Sequence, residues 1–372
     1  MSGDEDYYTK SALMLKSDQS LDVILADGFL VPSYVSAGYL RPIDLQSWPD
    51  WKQFPGAIKA SVTIDGKVYA VPVSTDTQGL YYNAKAFAKA GIAVPWSPTN
   101  WNDLTSAALK LRDAKVPFPM WMYTSQAQGE ASTMRTYMML LSGTKDWVIE
   151  NGKWVVKSQG MRDSLEFLAK LFVKERILGS DANLALMMDS HAFDTKTEKL
   201  PAGDIGFLWD GSWNGGDFVK SPPSTYKTDI RTAPVPRQFG GGYTTMSGGW
   251  TMAVSALTLH PDLADDFVKA AGSFRGELAW ANFKGDMTPR SDVRENAAYK
   301  QADYYRYQMN KYVDFTRFRP GDELYPKVSL EIRAMLESVV SGRSSVDKAM
   351  AEYAANVKDI VGAENTIGKS AN

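Results

Sequence analysis

Short apolar runs alternate with helical patterns along nearly the whole chain, and that alternation limits the fold more than any other feature. LDVILA at 21–26 reads as a buried strand, and 4–18 before it reads as a helix with Tyr8, Ala12 and Leu15 on one side. ASVTIDGKVYAVPV at 60–73 reads as a hairpin turning on Asp65 and Gly66, the pair that tight hairpin turns favour. NAKAFAKAG at 83–91 is a helix with Gly91 as its stop. A second helix starts around Asn100 and runs to about Ala114, with Leu104, Ala108 and Leu111 on one face. PFPMWMY (117–123), the start of DIGFLWDGSW (204–213), DIRTAPVP (229–236) and WTMAVSA (250–256) read as strands. Residues 128–142, 160–178, 295–312 and 326–362 carry helical patterns. Strands separated by helices predict an α/β class with largely parallel sheets.

The totals narrow the function classes. A chain of 372 residues is too long for one ordinary core, so two domains are expected. Net charge is −2 with no basic block, which argues against a nucleic-acid partner. No apolar run reaches membrane-spanning length. There are no cysteines, so disulfides, thiolate metal sites and thiol nucleophiles are excluded together. The only histidines are His191 and His260, with no spacing that holds a metal, and neither phosphate-cradling glycine motif occurs. No metal and no cofactor is therefore expected. The opening MSGDEDYYTK is acidic and has no apolar core behind it, unlike a secretion signal.

The informative excess is aromatic: 11 Trp, 18 Tyr and 15 Phe, several of the Trp in polar, glycine-rich loops. Four such loops follow strands: STDTQ (74–78), WMYTSQ (121–126), WDGSW (209–213) and MSGGW (246–250). Aromatic rings stack on the C–H face of a sugar, while carboxylates and amides take its hydroxyls. Each loop taken singly also fits an ordinary loop tip with a buried Trp. Four at strand ends point to a shared cleft. A glycoside hydrolase is the alternative, since it needs only two carboxylates, and Asp76, Asp210 or Glu130 could serve.

The order of motifs resembles the extracytoplasmic solute-binding proteins of carbohydrate ABC importers, the maltose- and trehalose-binding type. The matching stretches are SLDVILAD with SAGYLRPID, then DGKVYAVPVSTDTQGLYYN with AFAKAGI and NWNDL. WDGSW, SGGWTMAVSALTLHPDLADDFVKAA, TPRSDV and YPKVSLEIRAMLESVVSGRSSVDKAMAEYAANV follow in order.

The resemblance implies a two-lobed periplasmic-binding-protein fold of type II, with parallel-rich sheets flanked by helices and a ligand cleft between the lobes. Lobe one would hold 1–75 and 250–305, and lobe two 77–248 and 310–372. Hinge crossings would lie near 74–78, 246–250 and 305–310. It also implies a first strand–helix unit, one more ligand loop and a secretion signal upstream, the first of which is absent from this chain. The residues matching ligand-contacting motifs are Asp27, Asp76, Thr77, Tyr123, Trp213, Gly249, Trp250, Arg290 and Tyr325. Trp213 and Trp250 would stack on sugar, Asp27 and Asp76 would accept from hydroxyls, and Arg290 would donate a fork of hydrogen bonds. The implied partners are a carbohydrate and the membrane permease subunits, with no nucleic acid, the protein acting as an extracytoplasmic monomer rather than an enzyme.

Overall fold

The structure, a computed structural model, describes residues 3–17, 20–45, 47–218 and 228–369. Two main sheets carry the architecture. The first has three strands, with Trp250–Val254 between Val23–Asp27 and Ala70–Pro72 and antiparallel to both. The second has four, in the order Ile230–Ala233, Gln78–Asn83, Ile205–Gly211, Phe118–Trp121. Only its last pair, Phe118–Trp121 with Ile205–Gly211, is parallel. The α/β class stands, but of the two main sheets the first is antiparallel and the second mixed, rather than parallel-rich. The central strands Gln78–Asn83 and Ile205–Gly211 are buried at every residue, which is why they read as continuous apolar runs.

Local chemistry sets most element boundaries as the sequence predicts. The Asp65-Gly66 turn has φ of 49° and 76°, the mirror-image turn that matches strand twist, and joins Thr63–Ile64 to Lys67–Val68. Asn100 caps the helix Trp101–Asp113 by accepting from the Asn102 and Asp103 amides. The long C-terminal pattern is two helices, Tyr325–Val340 and Val346–Val361, separated at Gly342 (φ 71°) and restarted by the Ser345 cap. Between 128 and 142 the expected helix widens to a π-helical segment, Ala131–Met138, before Met139–Ser142.

Helices cover both sheets. Pro261–Ala271 lies on the first sheet, and Trp101–Asp113 and Ala192–Ala202 lie on the second. Leu80, Tyr81, Leu104, Leu111, Phe207 and Leu208 are wholly buried between these layers. Each such side chain stabilises the fold by roughly 1.5–3 kcal/mol relative to exposure.

The polar window 74–78 lies where the chain leaves one sheet for the other. Val73 and Ser74 amides both donate to the Trp250 carbonyl, at 2.9 and 3.1 Å, in the first sheet. Gln78 begins the second sheet opposite Gly211, and its backbone is clasped on both sides by the Thr245 hydroxyl at 2.7 Å. A second passage runs alongside. The strand Tyr243–Ser247, paired in parallel with Thr316–Phe318, leads through Gly248 and Gly249 into Trp250–Val254. Gly249 has φ 148°, and a Cβ there would stand 2.1 Å from the Ser74 carbonyl oxygen, so the two passages touch backbone to backbone.

Candidate functional site

Register brings the site together. In the first sheet Asp27 is directly opposite Trp250, at the edge where Ser74 leaves. In the second sheet Gly211 is opposite Gln78, so the loop holding Trp213 opens at the same edge. The π-helical segment presents Met134 and Arg135 from the other side, just after Glu130. These elements enclose a cavity of about 530 Å³ lined by Asp27, Asp76, Trp213, Gly249 and Trp250 among others. That volume suits a small-molecule ligand.

Arg319, directly after the strand Thr316–Phe318, ties the walls together. Its Nη2 donates to Asp27 Oδ1 at 2.6 Å and its Nη1 donates to Glu130 Oε2 at 3.4 Å. The guanidinium lies 4.1 Å from the Phe29 ring centre. Asp27 also accepts from the Tyr8 hydroxyl at 3.1 Å, and Glu130 from Tyr325 at 2.8 Å and from Ser329.

Asp76 is placed differently. It accepts only from the Gly248 amide, at 3.2 Å to each oxygen, and has no ion-pair partner among the described residues. Burial pushes its carboxyl up to about 7; Arg319 opposes that and the charges of Asp27 and Asp286 reinforce it. Asp286, also lining the cavity, accepts from Trp280 Nε1 at 3.1 Å and is likewise raised by burial.

Beneath Trp213 lies a second charged cluster. Asp210 is fully buried and meets Arg135 at 3.2 Å, Lys196, and the Tyr123 hydroxyl at 2.8 Å. Burial alone would raise the Asp210 carboxyl, but the two cations outweigh it and hold it at about 2. The Arg135 guanidinium lies about equally close to three rings: Trp213 at 4.8 Å, Tyr123 at 5.0 Å and Phe193 at 5.1 Å. A Cβ at Gly211 would stand 2.0 Å from the Trp213 ring, so the loop fits only with glycine there.

Of the nine residues singled out in the sequence, five line the cavity: Asp27, Asp76, Trp213, Gly249 and Trp250. Four do not. Thr77 is buried and donates to the Met309 carbonyl at 2.8 Å. Tyr123 sits under Arg135, and Tyr325 behind Glu130. Arg290 is a correction: it is 1% exposed, forks onto Asp292 at 3.0 and 2.8 Å, and reaches Asp50 and the Gly272 carbonyl at 2.9 Å each. Four of its five N–H groups are engaged in fastening these segments together, and the side chain does not line the cavity. Of the three carboxylates that a hydrolase might use, Asp76 and Glu130 line the cavity and Asp210 does not.

Sequence reasoning missed Arg319, Tyr8, Arg135, Trp280 and Asp286, all at the cavity. Tyr8 carried a signal, an aromatic in a strongly acidic helical stretch. Arg319 carried none, since only the fold brings it to Asp27, 292 residues away.

A sequence model described as bacterial extracellular solute-binding protein matches residues 2–273. The multiple sugar-binding protein of Streptococcus mutans is 25% identical over 239 residues, 63% of this chain and 54% of that protein. The maltodextrin-binding protein of Bacillus subtilis is 22% identical over 255 residues, 66% of this chain and 56% of that one. The chain thus spans about half the length of these relatives. Among solved structures, a solute-binding protein of Thermotoga lettingae bound to α-D-tagatose superposes with TM-score 0.84 at 23% identity, covering 96% of this chain and 90% of that one. A maltose-bound protein of T. maritima gives 0.81 at 21%, covering 96% and 88%. These likenesses are of fold, and the fold is two-lobed.

Proposed function

From the premise that the chain belongs to the bacterial extracellular solute-binding protein family, we propose that it is the carbohydrate-capturing subunit of an ABC importer. Its ligand is a di- or oligosaccharide, a monosaccharide or a polyol, held between the lobes and presented to the membrane permease outside the cytoplasm. The observation that carries this reading is the cavity itself. Trp213 and Trp250 stand in one cleft with Asp27, Asp76 and Glu130, the ring-plus-carboxylate chemistry a polyhydroxylated ligand needs.

Lobe one comprises 1–75 and 250–305 and lobe two 77–248 and 310–372, with hinges near 74–78, 246–250 and 305–310. Closure about these crossings buries the sugar and signals occupancy to the permease. The protein acts as a monomer.

A hydrolase in the same cleft would use Asp76, whose carboxyl near 7 suits proton transfer. It would also need a second carboxylate placed as its partner. Asp27 and Glu130 both face Arg319, which leaves Asp286, held by Trp280 Nε1, as the remaining candidate, and the family match favours binding over turnover. Binding without turnover is the better account.

A thermal-shift screen against a sugar panel tests the reading, since a ligand that binds only the folded state raises the melting temperature. The shift is expected to vanish in Trp213→Ala and Trp250→Ala. An unchanged shift in both variants would reject this pocket, and release of a smaller sugar on incubation would favour the enzyme.

A further inference from the structure

We propose that the cleft selects a ligand carrying a protonated amine beside a hydroxyl, that is, an amino sugar or aminocyclitol unit; this rests on the carbohydrate reading above. The first ground is the charge around the Asp76 end of the cavity. Asp27, Asp76, Glu130 and Asp286 line it, and Arg319 is the cation set among them. Neither Asp76 nor Asp286 has an ion-pair partner among the described residues. Arg135 and Lys196 share Asp210, and Lys196 also feels Asp217, so those two cations are offset by two acids. Lys284 on the exposed rim and Arg306 offset only part of the burial that raises Asp286. With a neutral sugar this surplus is met only by protonation of the raised Asp76 and Asp286 carboxyls, whereas an ammonium meets it directly.

The second ground is independent of those acids. The Arg319 side chain is 5% exposed, yet its Nε finds no acceptor among the described residues. A buried guanidinium donor without a partner is costly, and it asks for an oxygen from the ligand. One ligand edge offering an oxygen to Arg319 and an ammonium to Asp76 meets both demands. The aromatic residues around that end, Tyr8, Trp250 and Trp280, present ring surfaces that also favour a cation over a neutral group.

Burial already holds Asp76 near 7, opposed by Arg319 and reinforced by Asp27 and Asp286. An ammonium docking beside it favours the carboxylate form. Around pH 6.5 the bound complex therefore releases the Asp76 proton to the buffer.

Calorimetry on the full chain with three disaccharides tests this: the disaccharide of β-1,4-linked glucosamine, its N-acetylated counterpart, and cellobiose. They share a linkage and ring frame and differ in the amine. The glucosamine disaccharide is expected to bind at least tenfold more tightly than either neutral one. At pH 6.5 its heat should change with the ionisation enthalpy of the buffer, as proton release requires. Asp76→Asn should erase both the preference and the proton release while the variant unfolds at a temperature close to that of the parent. Equal or tighter binding of cellobiose would overturn the amine and leave the carbohydrate reading standing. No binding of any of the three, with none in the wider sugar panel, would overturn both.

Discussion

Two charged clusters flank the cleft, and they resolve burial in opposite ways. Around Asp210, two cations meet one carboxylate and the Tyr123 hydroxyl completes its shell, so the acid is held ionised at about 2. Around Asp76, several carboxylates gather about Arg319, and the acid is pushed up to about 7. The ratio of cations to acids decides which cluster is closed upon itself and which is open to a ligand. The Asp210 cluster is a pedestal: it anchors Arg135, and Arg135 lies against the Trp213 ring. The Asp76 cluster has acceptor capacity left over.

The comparison is broken most severely at the pedestal. Asp210→Ala leaves Arg135 and Lys196 buried without their shared counter-ion. Breaking such a pair from one side costs about 3–5 kcal/mol. Urea unfolding at neutral pH should show that loss, together with weakened ligand binding as Trp213 loses its support. A loss below ~1 kcal/mol would mean that the cluster does not anchor the fold. The acid limb has a definite sign. The folded pKa is depressed, so the stabilisation is present above the ordinary carboxylate range and disappears as pH falls toward about 2.

Arg290 sharpens the contrast from outside both clusters. Its guanidinium is spent on Asp50, Asp292 and the Gly272 carbonyl. Arg290→Met should therefore cost about 2–3 kcal/mol of stability, the range for charged hydrogen bonds that leave a buried acceptor behind. Ligand affinity, measured on the folded variant at low temperature, should stay within about twofold. A tenfold loss of affinity would return Arg290 to the site.

That residue also shows what the sequence could and could not carry. Asp27, Asp76, Gly249 and Trp250 were legible because each sits at a strand end next to a local pattern: an apolar run, a polar window, a Gly-Gly-Trp. The hairpin at Asp65-Gly66 and the cap at Asn100 were legible for the same reason, since their chemistry is local. Arg319, Glu130 and Tyr8 meet through sequence separations of 189 to 292 residues among their Arg319 contacts and 19 for Tyr8 with Asp27. A lone arginine has no periodicity to betray whether it faces a ligand or a neighbouring loop. Arg290 and Arg319 look alike in sequence, and only packing separates them. Strand direction was misread for a related reason. Alternation of helices and strands suggests parallel pairing, but Trp250–Val254 enters the first sheet directly from the strand Tyr243–Ser247 and runs antiparallel to both neighbours.

Asp76→Asn tests the open cluster at smaller amplitude. Here the folded pKa is raised, so between the ordinary carboxylate range and about 7 the folded state holds a proton that the unfolded state has given up. Stability should fall as pH rises through that window and level off above it. The asparagine variant has no such proton, so its stability relative to the parent should climb by about 2 kcal/mol between pH 4 and 7.5, after allowance for partial solvent screening. Flat difference curves across that window would show that Asp76 is ionised at little cost, and the distinction between the clusters would then rest on geometry alone.

The smallest change probes the seam between ligand wall and scaffold. Tyr8→Phe removes one of the two donors to Asp27 and leaves Arg319 in place. A single neutral donor to a carboxylate that keeps its cation is worth about 1 kcal/mol. Affinity for the cleft's ligand should fall by roughly fivefold with little change in melting temperature, because the Tyr8 ring keeps its contacts with Phe29 and Trp250. If stability drops and affinity does not, Asp27 serves the scaffold as Asp210 does, and the open cluster shrinks to Asp76 and Asp286.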